Sequence, residues 1–290
     1  MQFAKAFFLT KYVTDAILSK SRKFYMKLGL IGLGVVGGAN SAGFTLLGHE
    51  VLQHDTKWND STIQDVIDTE IVFLCLPSPQ SVDGSCDTSI LEGVIKELND
   101  ENYNGIVCIR STVEPGFTEH MIDKFPTTTI CCSPEFLRER AAADDFINHH
   151  ELLAVGTDDP YVFEKIVEAH GHLPNNVKQL SPTEAELLKY FNNSYAALRI
   201  VFANVFYELC EGLECDYSKV KDAYVKTGKT ANVYLDVNKR LRGYGGMCLP
   251  KDVAALAHSL RENGFNFDLI ESIKQDNEKF TSTTFSGMRK

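Results

Sequence analysis

From Met26 onward the chain alternates between short apolar runs and longer stretches with helical spacing. Lys27–Ile31, Val51–Asp55, Glu70–Leu76, Gly105–Ile109, Thr128–Cys131, Leu152–Gly156 and Val177–Leu180 read as strands. Ala39–Leu47, Ile90–Leu98 and Asp159–His170 read as helices between them. Strands such as Ile-Val-Phe-Leu-Cys-Leu are apolar on both faces, and repeated βα units of this size predict an α/β fold with a mostly parallel, doubly wound (Rossmann) sheet. At Ser181 the pattern changes. Ser181-Pro-Thr-Glu184 is a capping box with proline at the first helical position, and apolar residues then run without a breaker to Gly212. That is roughly 45 Å of helix at about 1.5 Å per residue. It is apolar nearly all round, through Leu187, Leu188, Phe191, Leu198, Val201, Phe202, Val205, Phe206 and Leu209. Such a helix has to be buried within a domain or against another chain. Ser218–Lys226, Lys251–Asn263 and Leu269–Phe280 continue the helical pattern. The expected organisation is an extension at 1–25, an α/β domain at 26–180, an all-α domain at 181–281 built on the long helix, and a tail at 282–290.

Charge and cysteine content narrow the function. The formal charge of −10 argues against non-specific nucleic-acid or anionic-membrane binding, both of which need a basic face. Eight cysteines occur, with no C-x-x-C pair and no zinc-like Cys/His spacing, so no metal site is expected. Several lie in strand-like runs, as Cys75 and Cys108 do, and read as reduced core residues of a cytoplasmic protein. No apolar run is long enough to span a bilayer. Residues 1–25 are basic and suit either a targeting peptide or an extension outside the fold.

The strongest local signal is Gly32-Leu-Gly34-Val35-Val36-Gly37, set between a strand and a helix, with Asp55 closing the next strand. Gly32 makes the turn, Gly34 admits a pyrophosphate, and Gly37 lets helix and strand pack; Asp55 suits the adenosine ribose hydroxyls. An acid there repels a 2′-phosphate, so NAD is the expected cofactor, a preference that Lys57 tempers. Pro77 and Ser78 end the third strand, where doubly wound sheets bind cofactor. Thr112 follows the fourth strand, and Glu135 and Glu139 follow the fifth, spaced to share one face of a helical turn. Lys189 and Asn193 are one turn apart on the long helix, where no broad polar face exists. Cys248 follows Gly243, Gly245 and Gly246 and precedes Pro250, which sets it at a helix N-terminus, a position that favours a thiolate.

Five stretches together resemble the UDP-glucose/GDP-mannose dehydrogenase family: Gly29–Gly37, Ser111–Gly116, Ser133–Glu139, Glu186–Asn193 and Gly243–Asp252. The resemblance covers roughly residues 26–280 and implies oxidation of a nucleotide-sugar C6 alcohol to a carboxylate with two NAD, UDP-glucose being favoured. It implies that Thr112 and Glu139 hold a water that relays the hydroxyl proton, and that Cys248 holds the intermediate. Lys189 and Asn193 would stabilise oxyanions, with Asp252 in support. Val35, Val36 and Thr112 join the cofactor set, and Phe136, Leu137 and Gly245 the substrate set, with Glu135 a substrate or a structural contact. The shortened stretch before Gly243 offers Arg240 and Arg242 for a phosphate. The family normally carries a second Rossmann-type domain that binds UDP, and the expectation is that a chain ending at Lys290 lacks it. A homodimer through the 182–212 helix is also expected. Two other readings remain open here. One is a two-electron β-hydroxyacid dehydrogenase, which Lys189 and Asn193 would also suit but which has no use for Cys248. The other is a non-catalytic NAD-binding remnant.

Overall fold

A computed structural model describes residues 26–58 and 60–280; the expected extension at 1–25 and tail at 282–290 lie outside the described residues. Seven strands form one sheet: β1 (Lys27–Ile31), β2 (Glu50–His54), β3 (Ile71–Leu74), β4 (Ile106–Ile109), β5 (Thr129–Cys132), β6 (Leu153–Gly156) and β7 (Val177–Leu180). Their order is β2-β1-β3-β4-β5-β6-β7. The first five are parallel. β6 joins β5 antiparallel through Cys132 and Gly156, and β7 runs parallel to β6, so the last two strands are reversed. β2 and β3 flank β1 on opposite sides, which makes the ends of β1 and β3 the switch point where such sheets bind ligands.

Helices α1 (Val35–Leu47), α2 (Ser89–Asp100), α3 (Phe117–Lys124), α4 (Ala142–Asn148) and α5 (Pro160–His170) surround the sheet. One face is sealed by a cluster including Leu28, Leu30, Phe44, Phe73, Phe146 and Ile166. The other is sealed by a cluster including Val72, Leu74, Leu91, Ile95, Val107 and Met121. Helices α3 and α4 carry no strong local signal in the sequence. The cap of α3 comes from far away: the Glu186 carboxylate accepts from Gly116 N at 2.6 Å and Thr118 N at 2.8 Å. Burial raises the Glu186 pKa, while the bonds from Thr118 and Gly116 oppose that rise.

Helix α6 spans Pro182–Gly212, as the capping pattern predicts. Ser181 Oγ accepts from Glu184 N at 3.3 Å, and the Glu184 carboxylate accepts from Ser181 N at 2.9 Å. Burial along α6 departs from expectation. Tyr190, Ala197, Val201 and Tyr207 face inward, whereas Leu187, Phe191, Phe202, Val205, Phe206 and Leu209 are exposed. The helix is apolar on two sides, and the single chain covers only one. Helices α7 (Tyr217–Val225), α8 (Leu249–Glu262) and α9 (Leu269–Glu278) complete the fold. α8 and α9 pack on α6 and on each other, burying Ala197, Val201, Tyr244, Val253 and Ile273 together. No helix among the described residues is long and apolar enough to cross a membrane.

Candidate active site

The cofactor end follows from the glycine turn between β1 and α1. Gly32 has φ +88°, and a Cβ there would lie 2.6 Å from the Cys75 carbonyl oxygen. A Cβ at Gly37 would lie 1.9 Å from Gly32 O, so both positions are closed to side chains by the protein itself. Gly34 differs: a Cβ there would meet nothing within 4 Å. Its lack of a side chain serves no internal packing and keeps space open beside the helix start. Gly34 is the N-cap of α1, with no side-chain acceptor and no acid in the first turn. The positive end of that helix is left to an anionic ligand. Asp55 sits alongside. Its carboxylate accepts from Leu33 N at 2.8 Å and Lys57 N at 3.0 Å, and those bonds hold its pKa below the usual carboxylate range. These residues fit the diphosphate and ribose of a dinucleotide.

A cleft of about 260 Å³ joins this end to the chemistry. Val36, Pro77, Ser78, Thr112, Leu137, Lys189 and Cys248 are among the residues that line it. Ser78 Oγ donates to Thr112 O at 2.6 Å, tying the loop after β3 to the loop after β4. Two roomier cavities lie away from these groups. One, about 490 Å³, runs along α6 and α7 past Phe202 and Tyr224. The other, about 650 Å³, is bounded by Asp68, Glu70 and Glu101. Volume alone therefore does not mark the site; the convergence of functional groups does.

Beneath the cleft lies a buried polar network. Asn193 Nδ2 donates to Asp252 Oδ2 at 2.5 Å, and Lys251 Nζ lies 2.7 Å from Asp252 Oδ1. Lys189 Nζ donates to the Glu135 carbonyl oxygen at 2.5 Å and sits 5.5 Å from the centre of the Phe136 ring. Burial lowers the Lys189 pKa, and the charges of Asp252, Cys248 and Glu135 resist that fall. Cys248 caps α8, with Pro250 in the first turn. Although the residue is exposed overall, burial of its inner side pushes its thiol upward; Lys189 and Lys251 pull it down and Asp252 raises it again. Burial thus works against the thiolate that the helix N-terminus favours, and Lys189 and Lys251 work for it.

The profile of the UDP-glucose/GDP-mannose dehydrogenase family, NAD binding domain, matches residues 54–173, and that of the same family's central domain matches residues 183–279. The chain belongs to this family. By that membership it is an NAD-dependent oxidoreductase. It is 28% identical over 304 residues to the UDP-glucose 6-dehydrogenase AglM of Haloferax volcanii, covering 87% of this chain and 70% of that one. It is 27% identical to the UDP-glucose 6-dehydrogenase of Rickettsia bellii, covering 80% of this chain and 54% of that one. The solved UDP-glucose dehydrogenase of Pyrobaculum islandicum shares the fold, with a TM-score of 0.81 at 24% identity, over 90% of this chain and 70% of that one.

In this member of the UDP-glucose/GDP-mannose dehydrogenase family, several expected site residues have other occupations. Glu135 and Glu139 do not share a helical face. Glu135 lies in an extended stretch and is buried, and a short 3₁₀ turn begins at Glu139, which is exposed. The Glu135 carboxylate forms an ion pair with Arg110 and accepts from Asn40 Nδ2 at 3.2 Å and Phe136 N at 3.2 Å, so it is committed to structure. Arg242 is engaged within the chain. Its Nε donates to Asn204 Oδ1 at 2.8 Å, it pairs with Glu208, and its guanidinium lies 4.8 Å from the Tyr207 ring centre. Arg240 is exposed, and Gly245 is half-buried and is not among the residues that line the cleft. Sequence reasoning assigned no role to Arg110 or Lys251, both of which line the cleft. The available signal was an arginine closing the otherwise apolar run Ile106–Ile109, since a charge at the end of a fully buried strand needs a partner.

Proposed function

We propose that this chain oxidises the C6 alcohol of a nucleotide sugar to the carboxylate in two successive steps, with UDP-glucose the favoured substrate and UDP-glucuronate the product. The observation that carries this reading is the shared cleft. Cys248 and Lys189 border the same space as Val36, Pro77 and Ser78 at the cofactor end.

NAD bound at the glycine turn supplies the oxidant, taking two electrons as hydride in each round. The residues of the chain do the rest. Thr112, on the cleft wall, and the exposed Glu139 hold the water that relays the C6 hydroxyl proton away. The resulting aldehyde is retained because Cys248 Sγ bonds to C6, its proton passing to the former carbonyl oxygen, which gives a thiohemiacetal. Loss of that hydroxyl proton and a second electron pair leaves a thioester. Water then adds to the thioester carbonyl and the C–S bond breaks, regenerating Cys248 and releasing the carboxylate. Negative charge develops on the C6 oxygen as each tetrahedral stage forms or collapses. The Lys189 ammonium has two hydrogens beyond the one given to Glu135, and the Asn193 amide has one beyond that given to Asp252. Asp252, buried and bonded to Asn193, keeps this pair of helices in register around Cys248.

The test is a stoichiometry. With limiting UDP-glucose and excess NAD, two NADH should form for each sugar consumed. One NADH per sugar, or turnover only of a small hydroxyacid, overturns the reading in favour of two-electron chemistry. NAD binding with no turnover of any nucleotide sugar overturns it in favour of a non-catalytic role.

We further propose that a second copy of this chain covers the open side of α6. Leu187, Phe191, Tyr195, Phe202, Phe206, Leu209 and Leu213 are exposed at steps of three, four or seven residues, forming one stripe. A helix of 31 residues offers about 46 Å of that stripe, long enough for two antiparallel copies to pair. The protein should sediment as a dimer, and Phe202→Asp with Phe206→Asp should shift it to monomer. A monomeric unaltered protein overturns this assignment.

A further inference from the structure

We infer that Asn277, on α9, is a positioning residue that holds the glycine turn in the shape presenting Cys248 to the cleft. The inference rests on the proposed role of Cys248, but its physical basis is separate. Both functions of one side-chain amide are spent on the backbone of one residue. Tyr244 N donates to Asn277 Oδ1 at 2.7 Å, and Asn277 Nδ2 donates to Tyr244 O at 3.0 Å. Two opposed bonds of this kind fix the peptide units on either side of Tyr244, as a strand neighbour would.

The neighbouring residues are fitted to this clamp. Gly243 has φ +60°, and a Cβ there would stand 2.8 Å from Asn277 Oδ1. Glycine is therefore required at 243 both by its dihedral and by the seat of the amide. The Tyr244 ring is buried among Ala197, Val201, Val253 and Ile273, so the backbone is held from its other side as well. Burial pushes the Tyr244 phenol up to about 12, which keeps this anchor neutral. Past Tyr244 the chain runs Gly245, Gly246, Met247, Cys248, and Gly246 has φ +90° with open space where a Cβ would be. Two glycines in succession offer no side-chain anchor. Asn277 at Tyr244 fixes one end of this stretch, and the first turn of α8, where Asp252 N donates to Cys248 O at 2.9 Å, fixes the other. Only a short side chain with one donor and one acceptor serves. Aspartate keeps the acceptor alone, leucine keeps neither, and glutamine is one methylene too long.

The experiment compares Asn277→Asp and Asn277→Leu with the unaltered protein. The first readout is alkylation of Cys248 by iodoacetamide, followed on its peptide by mass spectrometry without any sugar. Loosening the turn frees the thiol from its packed inner side, so its alkylation should become about five- to tenfold faster in the leucine variant, the factor that accompanies a lost hydrogen bond. The aspartate variant, which keeps one bond, should fall between. Buried Cys108 and Cys131 should stay unreacted and the Kd for NAD unchanged, which separates a local release from unfolding. The second readout is turnover: kcat should fall by about tenfold or more, with KM little changed. Alkylation of Cys248 at the unaltered rate in both variants overturns the clamp, whatever the turnover. Faster alkylation in a protein that oxidises no nucleotide sugar supports the clamp while removing the proposed reaction, so the two claims fail separately.

Discussion

Cys248→Ser is expected to reduce the yield from two NADH per UDP-glucose to one or fewer, and to cut kcat for complete oxidation by about 10⁶-fold, the scale seen when a covalent nucleophile is removed. A thiol adds readily to an aldehyde, and the thioester left after the second oxidation is opened by water. Serine places a far more basic oxygen in the same seat, and any ester formed there resists hydrolysis. The first oxidation does not need sulfur, so an aldehyde trap such as hydroxylamine should capture a product from the variant and none from the unaltered protein. Two NADH per sugar from Cys248→Ser at an ordinary rate would sink the covalent route.

Glu135→Ala should be the most destabilising single change near the cleft. Its partner Arg110 is fully buried, and Glu135 itself is 6% exposed. Burial opposes the Arg110 charge, but the Glu135 carboxylate more than offsets that, so the guanidinium stays firmly protonated. Arg110 NH1 also donates to Ser133 Oγ at 2.7 Å, which holds the fork in place whether or not Glu135 is present. Removing the carboxylate leaves a buried cation without a counter-charge, at a cost of about 3–5 kcal/mol. For a chain of this size that lowers Tm by roughly 6–20 °C. Glu135→Gln should cost less, since the amide oxygen still accepts from the guanidinium. The double change Arg110→Met with Glu135→Leu should recover much of the loss, because no unpaired charge remains. Thermal denaturation of the three variants checks the ranking. Equal stability of Glu135→Ala and the unaltered protein would mean that the pair does not hold this edge of the cleft.

The elements read most accurately from sequence are those whose causes lie within a few residues. The long helix begins where Ser181, Pro182 and Glu184 cap it and ends at Gly212. The turn from Gly32 to Gly37 has the dihedrals and close approaches that glycine at those positions predicts. Cys248 stands at a helix start because Pro250 follows it. The missed helix α3 shows the converse, since its cap is Glu186, on another helix. Equal spacing likewise suggested a shared face for Glu135 and Glu139, but a buried arginine draws one inward and leaves the other in solvent. Arg242 has the composition of a phosphate ligand, and only the packing of Asn204, Glu208 and Tyr207 around it gives it a structural task.

The sequence by itself determined the βα alternation, the dinucleotide turn and the extent of α6, because backbone dihedrals, caps and apolar periodicity are local. The tertiary structure decided the reversal of β6 and β7, the meeting of Val36 and Cys248 in one cleft, the burial that pushes the Cys248 thiol upward and the two hydrogen bonds between Asn277 and Tyr244. Each of these depends on which distant charges, amides and apolar surfaces meet, and burial sets the strength of those encounters.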